Sequence, residues 1–348
     1  NLEFYQAILG TTHPVRTFFP QWFLTGKPTL TDARGRRFLP DYVPDGVDPD
    51  ELLAQRGLHG PFTTSRPTAA VDIGIYHEIM AGRGTAQELP GVLCDFAGLP
   101  AATRRELDEG VGRPALSWLS ARGIDFEQGP VPIAPFAHAF NGGIIVDEHG
   151  RTTTPGLYAC GELAAGPHGA NRVGGHMFAV LLVLGKRAGE HAAGSATDCR
   201  RRPVPAEEVT KAAVRVAGLR RSRGVRPVIA RRAVQAALSP VMIEKDDASL
   251  ARAEADLNSV ERDMLPNLSA AGAGDLFAAL GVVNLHCVAR LIVQSARLRK
   301  ESRGPHYRTD FPHETTAGDM NLIWSTASGR DSSDAEPAWR PLFQGRKG

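Results

Sequence analysis

The residues best suited to chemistry share one stretch, residues 155–189, PGLYACGELAAGPHGANRVGGHMFAVLLVLGKRAG. A short apolar run at 157–160 breaks at Gly161, and Glu162 stands at its tip. His168, Asn171 and Arg172 occupy a polar loop, and Gly174-Gly175 lead into His176-Met177 and an apolar segment reaching Leu184. Without a Cβ, backbone at 174–175 can lie against a flat ligand, while the first N–H groups of the following helix remain unpaired and attract negative charge. An acid, a cationic loop and a Gly-Gly helix start suit a cofactor with a polyhydroxyl tail and a headgroup that becomes anionic. A reduced flavin has both: Glu162 would accept hydrogen bonds from ribityl hydroxyls, and the helix start would stabilise charge at the N1/O2 edge. A buried strand-turn-helix with a glycine-lined bend fits the same residues.

The 348 residues, 42% hydrophobic, are enough for two or three structural units with a real core. A net charge of +2 says little about partners. The basic runs Arg200-Arg201-Arg202 and Arg220-Arg221 lack interleaved aromatics and are expected to be solvated surface, so nucleic-acid binding is not expected. Cys94, Cys160, Cys199 and Cys287 form no CxxC pair, which argues against an iron–sulfur or zinc site and suits a reducing compartment. The apolar run at 177–184 is too short to span a bilayer, so the expected location is cytoplasmic, or peripheral at the inner face of a membrane. The chain starts at Asn1 with neither initiator methionine nor signal peptide, and lacks a G-x-G-x-x-G that follows a strand and opens a helix. The expectation is a truncated chain or one subunit of a split enzyme, carrying half of a cofactor site.

Local patterns supply the elements. Residues 31–42 predict a turn followed by a short strand. Val71, Ile75 and Ile79 recur at helical spacing over 69–81, with Ile73 and Met80 widening the stripe and Arg66 near the helix start. Residues 116–123 predict a short helix, and 133–150 a strand, a turn and a strand with a hairpin tip at 147–150. A helical region spans 205–303. In it Leu250, Ala253, Leu257, Val260 and Met264 share a face behind an Asp247 cap, and a long helix at 276–300 ends in basic residues. The polar tail from Gly318 is expected to be loosely held.

GLYACGE followed by HGANRVGG resembles the second flavin-binding segment of the fumarate reductase / succinate dehydrogenase flavoprotein family, which includes L-aspartate oxidase and adenylylsulfate reductase. The resemblance covers most of the chain and includes RKESRGPHYRTDFP. It implies an α+β / α/β fold: a partial FAD-binding domain (1–20 and 131–195) interrupted by an α+β capping domain (21–130), then a helical domain (205–305) and a tail (306–348). It also implies FAD as cofactor. By the same resemblance, Arg66 after Ser65 exchanges a proton with the substrate, His138 in PFAHAFNGG hydrogen-bonds one substrate carboxylate, and Arg172 clamps the other. A guanidinium fork suits bidentate carboxylate recognition. Arginine is a poor acid, so Arg66 would need an enclosed pocket and a carboxylate relay. The implied cofactor contacts are Gly142, Gly143, Gly161, Glu162, Asn171, Gly174, Gly175, His176 and Met177; no metal is implied.

The chain departs from the family at His176-Met177, where Asn-Ser is usual, and at Phe140-Asn141, where Thr-Met is usual. The family's HPTG and Thr-Glu acid-binding loop is not cleanly present: His13-Pro14 is displaced, and Gln21 or its neighbours fall at the Thr-Glu position. The expected function is hydride transfer between flavin N5 and a carbon of a carboxylate-bearing substrate. Expected partners are that small acid and a separate chain supplying the Rossmann half or electron transfer. The alternative is a non-catalytic carboxylate-binding or assembly subunit. The cluster Glu301, Arg303, His306, Tyr307 and Arg308 is expected to be a structural ion-pair network.

Overall fold

The computed structural model describes residues 1–109, 112–198, 204–221, 223–326 and 335–341. Cys199 and Arg200-Arg201-Arg202 lie outside them. The central sheet is built on β1 (Tyr5–Thr11), every residue of which is buried. It pairs antiparallel with β2 (Thr17–Phe18) on one side and β5 (Val131–Phe140) on the other, with an irregularity between Gln6 and Ala7. β4 (Val92–Asp95) and β3 (Thr29–Thr31) complete an antiparallel sheet in the order β2-β1-β5-β4-β3.

Helices α1 (Pro49–Gly57) and α2 (Ala69–Met80) pack on this sheet, and α3 (Ala101–Asp108) and α4 (Gly112–Ser120) follow around β4. As the spacing over 69–81 predicts, Val71 and Ile75 join Leu9, Phe19, Phe23, Val92 and Ile133 in one core, with Ile79 packed against it. Ile73 faces a second cluster with Ala7, Phe62 and Tyr76. Met80, expected on the apolar stripe, is 46% exposed at the last helical position. Arg56 on α1 and Asp72 on α2 form a fully buried two-pronged ion pair, Nε–Oδ2 2.6 Å and Nη2–Oδ1 3.0 Å.

The strand expected after the turn within 31–42 lies before that turn, as β3. The Asp32 carboxylate accepts from the amides of Arg34 and Arg36, which closes the turn; Arg37 only bridges back to Thr31, and a 3₁₀ turn over Leu39–Asp41 follows. The strand expected at 157–160 shrinks to a single bridge from Tyr158 to Arg151, because no described strand offers it a second row of partners. β6 (Ile144–Ile145) follows β5 as expected, but pairs in parallel with β7 (Ala164–Ala165). The Asp147 turn forms the expected tip, its carboxylate accepting from His149 and Arg151 amides.

Helix α5 (His176–Asp198) leads to α6 (Ala206–Leu219) and α7 (Pro227–Leu238). The short β8 (Glu244–Lys245) then precedes α8 (Asp247–Ser259), a π-helical turn over Val260–Met264 and α9 (Ala273–Leu298). The cap of α8 is Asp246, not Asp247: its carboxylate accepts the Ser249 amide and Ser249 answers through its hydroxyl. Leu250, Ala253, Leu257 and Val260 pack as expected against Ala289, Val293 and Ala296 of α9.

Among the described residues the longest apolar helix is α9 rather than the run at 177–184. By length and composition α9 could cross a membrane, and in this structure one of its faces is the core of the bundle. It stops before Arg299, whose buried guanidinium leaves the helix to pair with Glu3 and Glu301. Arg303 pairs with Glu301 and Arg308 with Asp310, so the polar cluster is the expected ion-pair network. β9 (Tyr307–Arg308) pairs with β8.

The tail is not loose where described. β10 (Met320–Ser325) and β11 (Glu336–Pro341) form an antiparallel pair, fastened by Trp324 Nε1 to Ser295 Oγ at 2.8 Å and by Arg299 to the Met320 carbonyl at 2.9 Å. Among the described residues Cys94, Cys160 and Cys287 form no disulfide, and no cluster of three or more His, Cys, Asp or Glu is placed to hold a metal.

Removing one member of a buried ion pair leaves the other uncompensated. Asp72→Ala is therefore expected to cost about 3–5 kcal/mol in denaturant unfolding. A loss below about 1 kcal/mol would show that carbonyl contacts alone suffice for Arg56.

Candidate functional site

Arg172 is the best-defined charge in the loop between β7 and α5. It is only 9% exposed, and its Nε donates to Gln6 Oε1 at 3.1 Å. The Gln6 amide nitrogen donates in turn to the Arg172 carbonyl at 2.9 Å and to Asn171 Oδ1 at 3.1 Å. Gln6 is fully buried on β1, at the irregularity beside Ala7. It thus fixes Arg172 at backbone and side chain without neutralising it. Among the described residues no carboxylate pairs with Arg172 and no hydrogen bond occupies its terminal nitrogens. A buried, uncompensated guanidinium is costly, and an open fork of N–H donors is the form that grips a carboxylate.

His138 lies on the same sheet, on an exposed position of β5. Partial burial and then the nearby Arg172 charge hold its pKa below the usual histidine range, with Glu162 opposing. His138 is therefore neutral at pH 7 and can donate from one ring nitrogen while accepting at the other. His138, Arg172 and Glu162 share one electrostatic neighbourhood.

Arg66 is only tethered nearby. Asn171 Nδ2 donates to Thr63 Oγ1 at 3.0 Å, Thr63 and Ser65 hydroxyls are 2.9 Å apart, and the Thr64 amide reaches the Gly304 carbonyl at 2.8 Å. The first of these fastens the turn before α2 to the Arg172 loop, and the last fastens it to the segment after α9. Arg66 itself is exposed, and no hydrogen bond or ion pair among the described residues joins it to His138 or Arg172. Its charge is felt by His59, whose pKa is pushed down to about 4 by burial first and by Arg56 and Arg66 next.

The glycine pairs behave differently. A Cβ on Gly142 would lie 2.3 Å from the Asn1 carbonyl oxygen, and one on Gly143 would lie 2.2 Å from that of Leu163. The chain's own backbone therefore accounts for glycine at 142–143, where a ligand approach was expected. At Gly174 and Gly175 a Cβ would meet nothing within 4 Å, and Gly175 has φ +78°. That bend has open space where side chains would stand. Gly161 has φ +72°, and the exposed Glu162 accepts the Phe140 amide at Oε1, 2.8 Å away.

Gln6 and Thr63 are additions to the residues expected from sequence, and His168 belongs to the expected polar loop without an assigned role there. Gln6, a single amide inside the apolar strand YQAILGT, carried no local signal. His168 is buried, with Nε2 3.3 Å from Met177 Sδ and its ring 6.1 Å from that of His176. Burial, then Arg172 and His176, lower its pKa. Gln21, expected at the acid-binding loop, turns inward and donates to the carbonyls of Leu9 at 3.1 Å and Phe19 at 2.5 Å. It is a structural residue.

An unhindered helix start, an exposed carboxylate and an uncompensated guanidinium fit a flat ligand with hydroxyl and anionic groups, alongside a carboxylate. In a histidine NMR titration, Arg172→Gln should raise the His138 pKa, because a cation opposing protonation has gone, while burial keeps it below that of a free histidine. No movement would mean that the two side chains do not share a site.

Residues 29–177 match the FAD binding domain family, and residues 232–342 match the fumarate reductase flavoprotein C-terminal family. A fumarate reductase (CoM/CoB) chain of Methanothermobacter marburgensis is 36% identical over 288 residues, 81% of this chain and 48% of that protein. An L-aspartate oxidase of Rhodospirillum rubrum is 30% identical over 294 residues, 81% of this chain and 85% of that one. Mycobacterium smegmatis Sdh1 superposes with TM-score 0.75 at 25% identity, over 97% of this chain and 55% of that one. The E. coli quinol fumarate reductase FrdA gives 0.74 at 23% identity over 98% and 59%, a likeness of fold. The chain covers 48% and 45% of the first two relatives it matches, about half their length. With FAD-binding, capping and C-terminal helical parts all represented, the chain belongs to the FAD-dependent flavoprotein family of fumarate reductase, succinate dehydrogenase and L-aspartate oxidase.

Proposed function

We propose that the complete flavoprotein is an FAD-dependent oxidoreductase acting on a carboxylate-bearing substrate, a fumarate- or succinate-like or related acid. The observation that carries this reading is the buried, uncompensated fork of Arg172 beside an unobstructed Gly-Gly helix start. FAD, when bound, supplies two-electron hydride chemistry. Glu162 keeps one oxygen for ribose-like hydroxyls, and the amides at the start of α5 meet developing negative charge. His176 and Met177 form the first turn there, and Asn171 and Gly161 shape the loop that holds it.

Arg172 grips one carboxylate and neutral His138 donates to another, so the substrate double bond lies across the site in a fixed orientation. Such fixing is worth about 7 kcal/mol or more of the barrier by effective-molarity arguments. In this reading Arg66 exchanges a proton with the substrate carbon. The Thr63–Asn171 bond supports that role, because it links the turn before α2 to the Arg172 loop.

A partner surface accompanies this site. Phe178 is 75% exposed, Leu182 69% and Val173 71%, along and just before α5. Solvated apolar surface of this kind suits the pyrophosphate-binding half of the flavin domain, supplied by another segment or chain. A partner chain for electron transfer and a cytoplasmic or membrane-peripheral location complete the reading. A non-catalytic carboxylate-binding subunit would keep the Arg172 fork and lack turnover.

In the complete flavoprotein, Arg172→Met and Arg66→Gln are each expected to lower turnover by a factor of about a thousand or more, with the flavin absorption bands retained. Normal turnover in either variant removes that residue from the chemistry. A preparation that stays colourless with every candidate partner supports the binding subunit instead.

A further inference from the structure

The sheet face that carries the Arg172 clamp continues along β1 as an apolar platform. Side chains alternate along a strand, so Gln6, which holds Arg172, shares one face with Ile8 and Gly10. The register places Phe136 of β5 opposite Ile8 and Phe18 of β2 opposite Gly10, so both rings belong to that face. Gly10 makes room for the first of them: a Cβ there would lie 2.6 Å from Phe136 Cδ2 and 3.0 Å from Cε2. Phe18 is 45% exposed. Ile8, Phe136 and Phe18 thus form a strip that begins one alternation beyond Gln6, about 7 Å along the strand.

A cation stands over this strip. The Arg16 guanidinium lies above the Phe136 ring, 5.5 Å from its centroid, and the ring orients the charge without neutralising it. The backbone beside Arg16 is held by the Thr11–Thr17 pair of the β1–β2 ladder and by Thr11 Oγ1, which donates to the Val15 carbonyl at 2.7 Å. Arg16 is exposed, and apart from the ring contact it has no hydrogen-bond or ion-pair partner among the described residues. An apolar strip with Arg172 at one end and an accessible guanidinium at the other is complementary to an acid with two anionic ends and an apolar middle. The middle gains from burial, and each end meets a fork of donors.

We propose that Arg16 is a specificity-determining residue and that the preferred substrate is an elongated dicarboxylate with an aryl or other apolar spacer. This rests on the reading of Arg172 as a substrate clamp. One carboxylate sits in the Arg172 fork, the spacer lies on Ile8, Phe136 and Phe18, and the far carboxylate accepts from Arg16. His138 serves the second carboxylate only in shorter acids, which leave the strip bare.

Equilibrium titration of the complete oxidised flavoprotein with 1,4-phenylenediacetate, 4-methylphenylacetate and malonate tests this. Phenylenediacetate is expected to bind at least tenfold more tightly than 4-methylphenylacetate, which keeps the ring and one carboxylate. Arg16→Met should remove that preference with malonate affinity unchanged, and Arg16→Lys should restore part of it. Arg172→Met should weaken all three ligands. The proposal is overturned if the two aryl acids bind alike in the wild type, if Arg16→Met keeps the preference, or if phenylenediacetate does not bind at millimolar concentration. Malonate affinity unaffected by Arg172→Met overturns the clamp on which the inference rests; malonate that depends on Arg172, with phenylenediacetate indifferent to Arg16, overturns the inference alone.

Discussion

The site depends on one neutral contact: the buried amide of Gln6 holds the Arg172 guanidinium in place. A carboxylate at that position would fix the arginine equally well but would also satisfy it, leaving nothing for a ligand. An amide fixes geometry and leaves the charge exposed to whatever anion arrives. A buried, unpaired cation is costly, and an arriving anion would offset that cost. The rest of the fold serves this arrangement. β1 carries Gln6 through the middle of the sheet, β5 delivers His138 from the adjacent strand, and Asn171 ties the turn of the capping domain to the same loop.

The two glycine pairs show how one sequence signal can have two physical origins. At Gly174-Gly175 the absence of Cβ leaves open space, and the left-handed φ of Gly175 sets the bend. At Gly142-Gly143 the same dipeptide lets the N-terminal backbone and the strand after Leu163 pass within contact distance. Only long-range packing distinguishes these cases.

That difference marks what could be read in advance. The helix start at 174–176, the Val71–Ile75–Ile79 row of α2 and the α8 face follow from local spacing and were legible, as were the residues that carry the family resemblance. Gln6 was not, because an amide inside a short apolar strand gains meaning only when a loop more than 160 residues away reaches it. Asp246 and Asp247 are adjacent acids, and which one caps α8 is decided by the answering Ser249 hydroxyl. The tail strands escaped a local reading because their stability comes from Ser295 and Arg299, contacts that polarity alone does not reveal.

The most direct test is equilibrium binding of a non-reacting dicarboxylate, malonate, to the complete oxidised flavoprotein and to its Gln6→Leu and Arg172→Met variants. If a neutral amide positions an unpaired guanidinium for an acid, Arg172→Met should weaken malonate binding by about a hundredfold. Gln6→Leu, with the arginine present but unpositioned, should weaken it by about tenfold. Equal malonate affinity in the wild type and Arg172→Met would contradict the account.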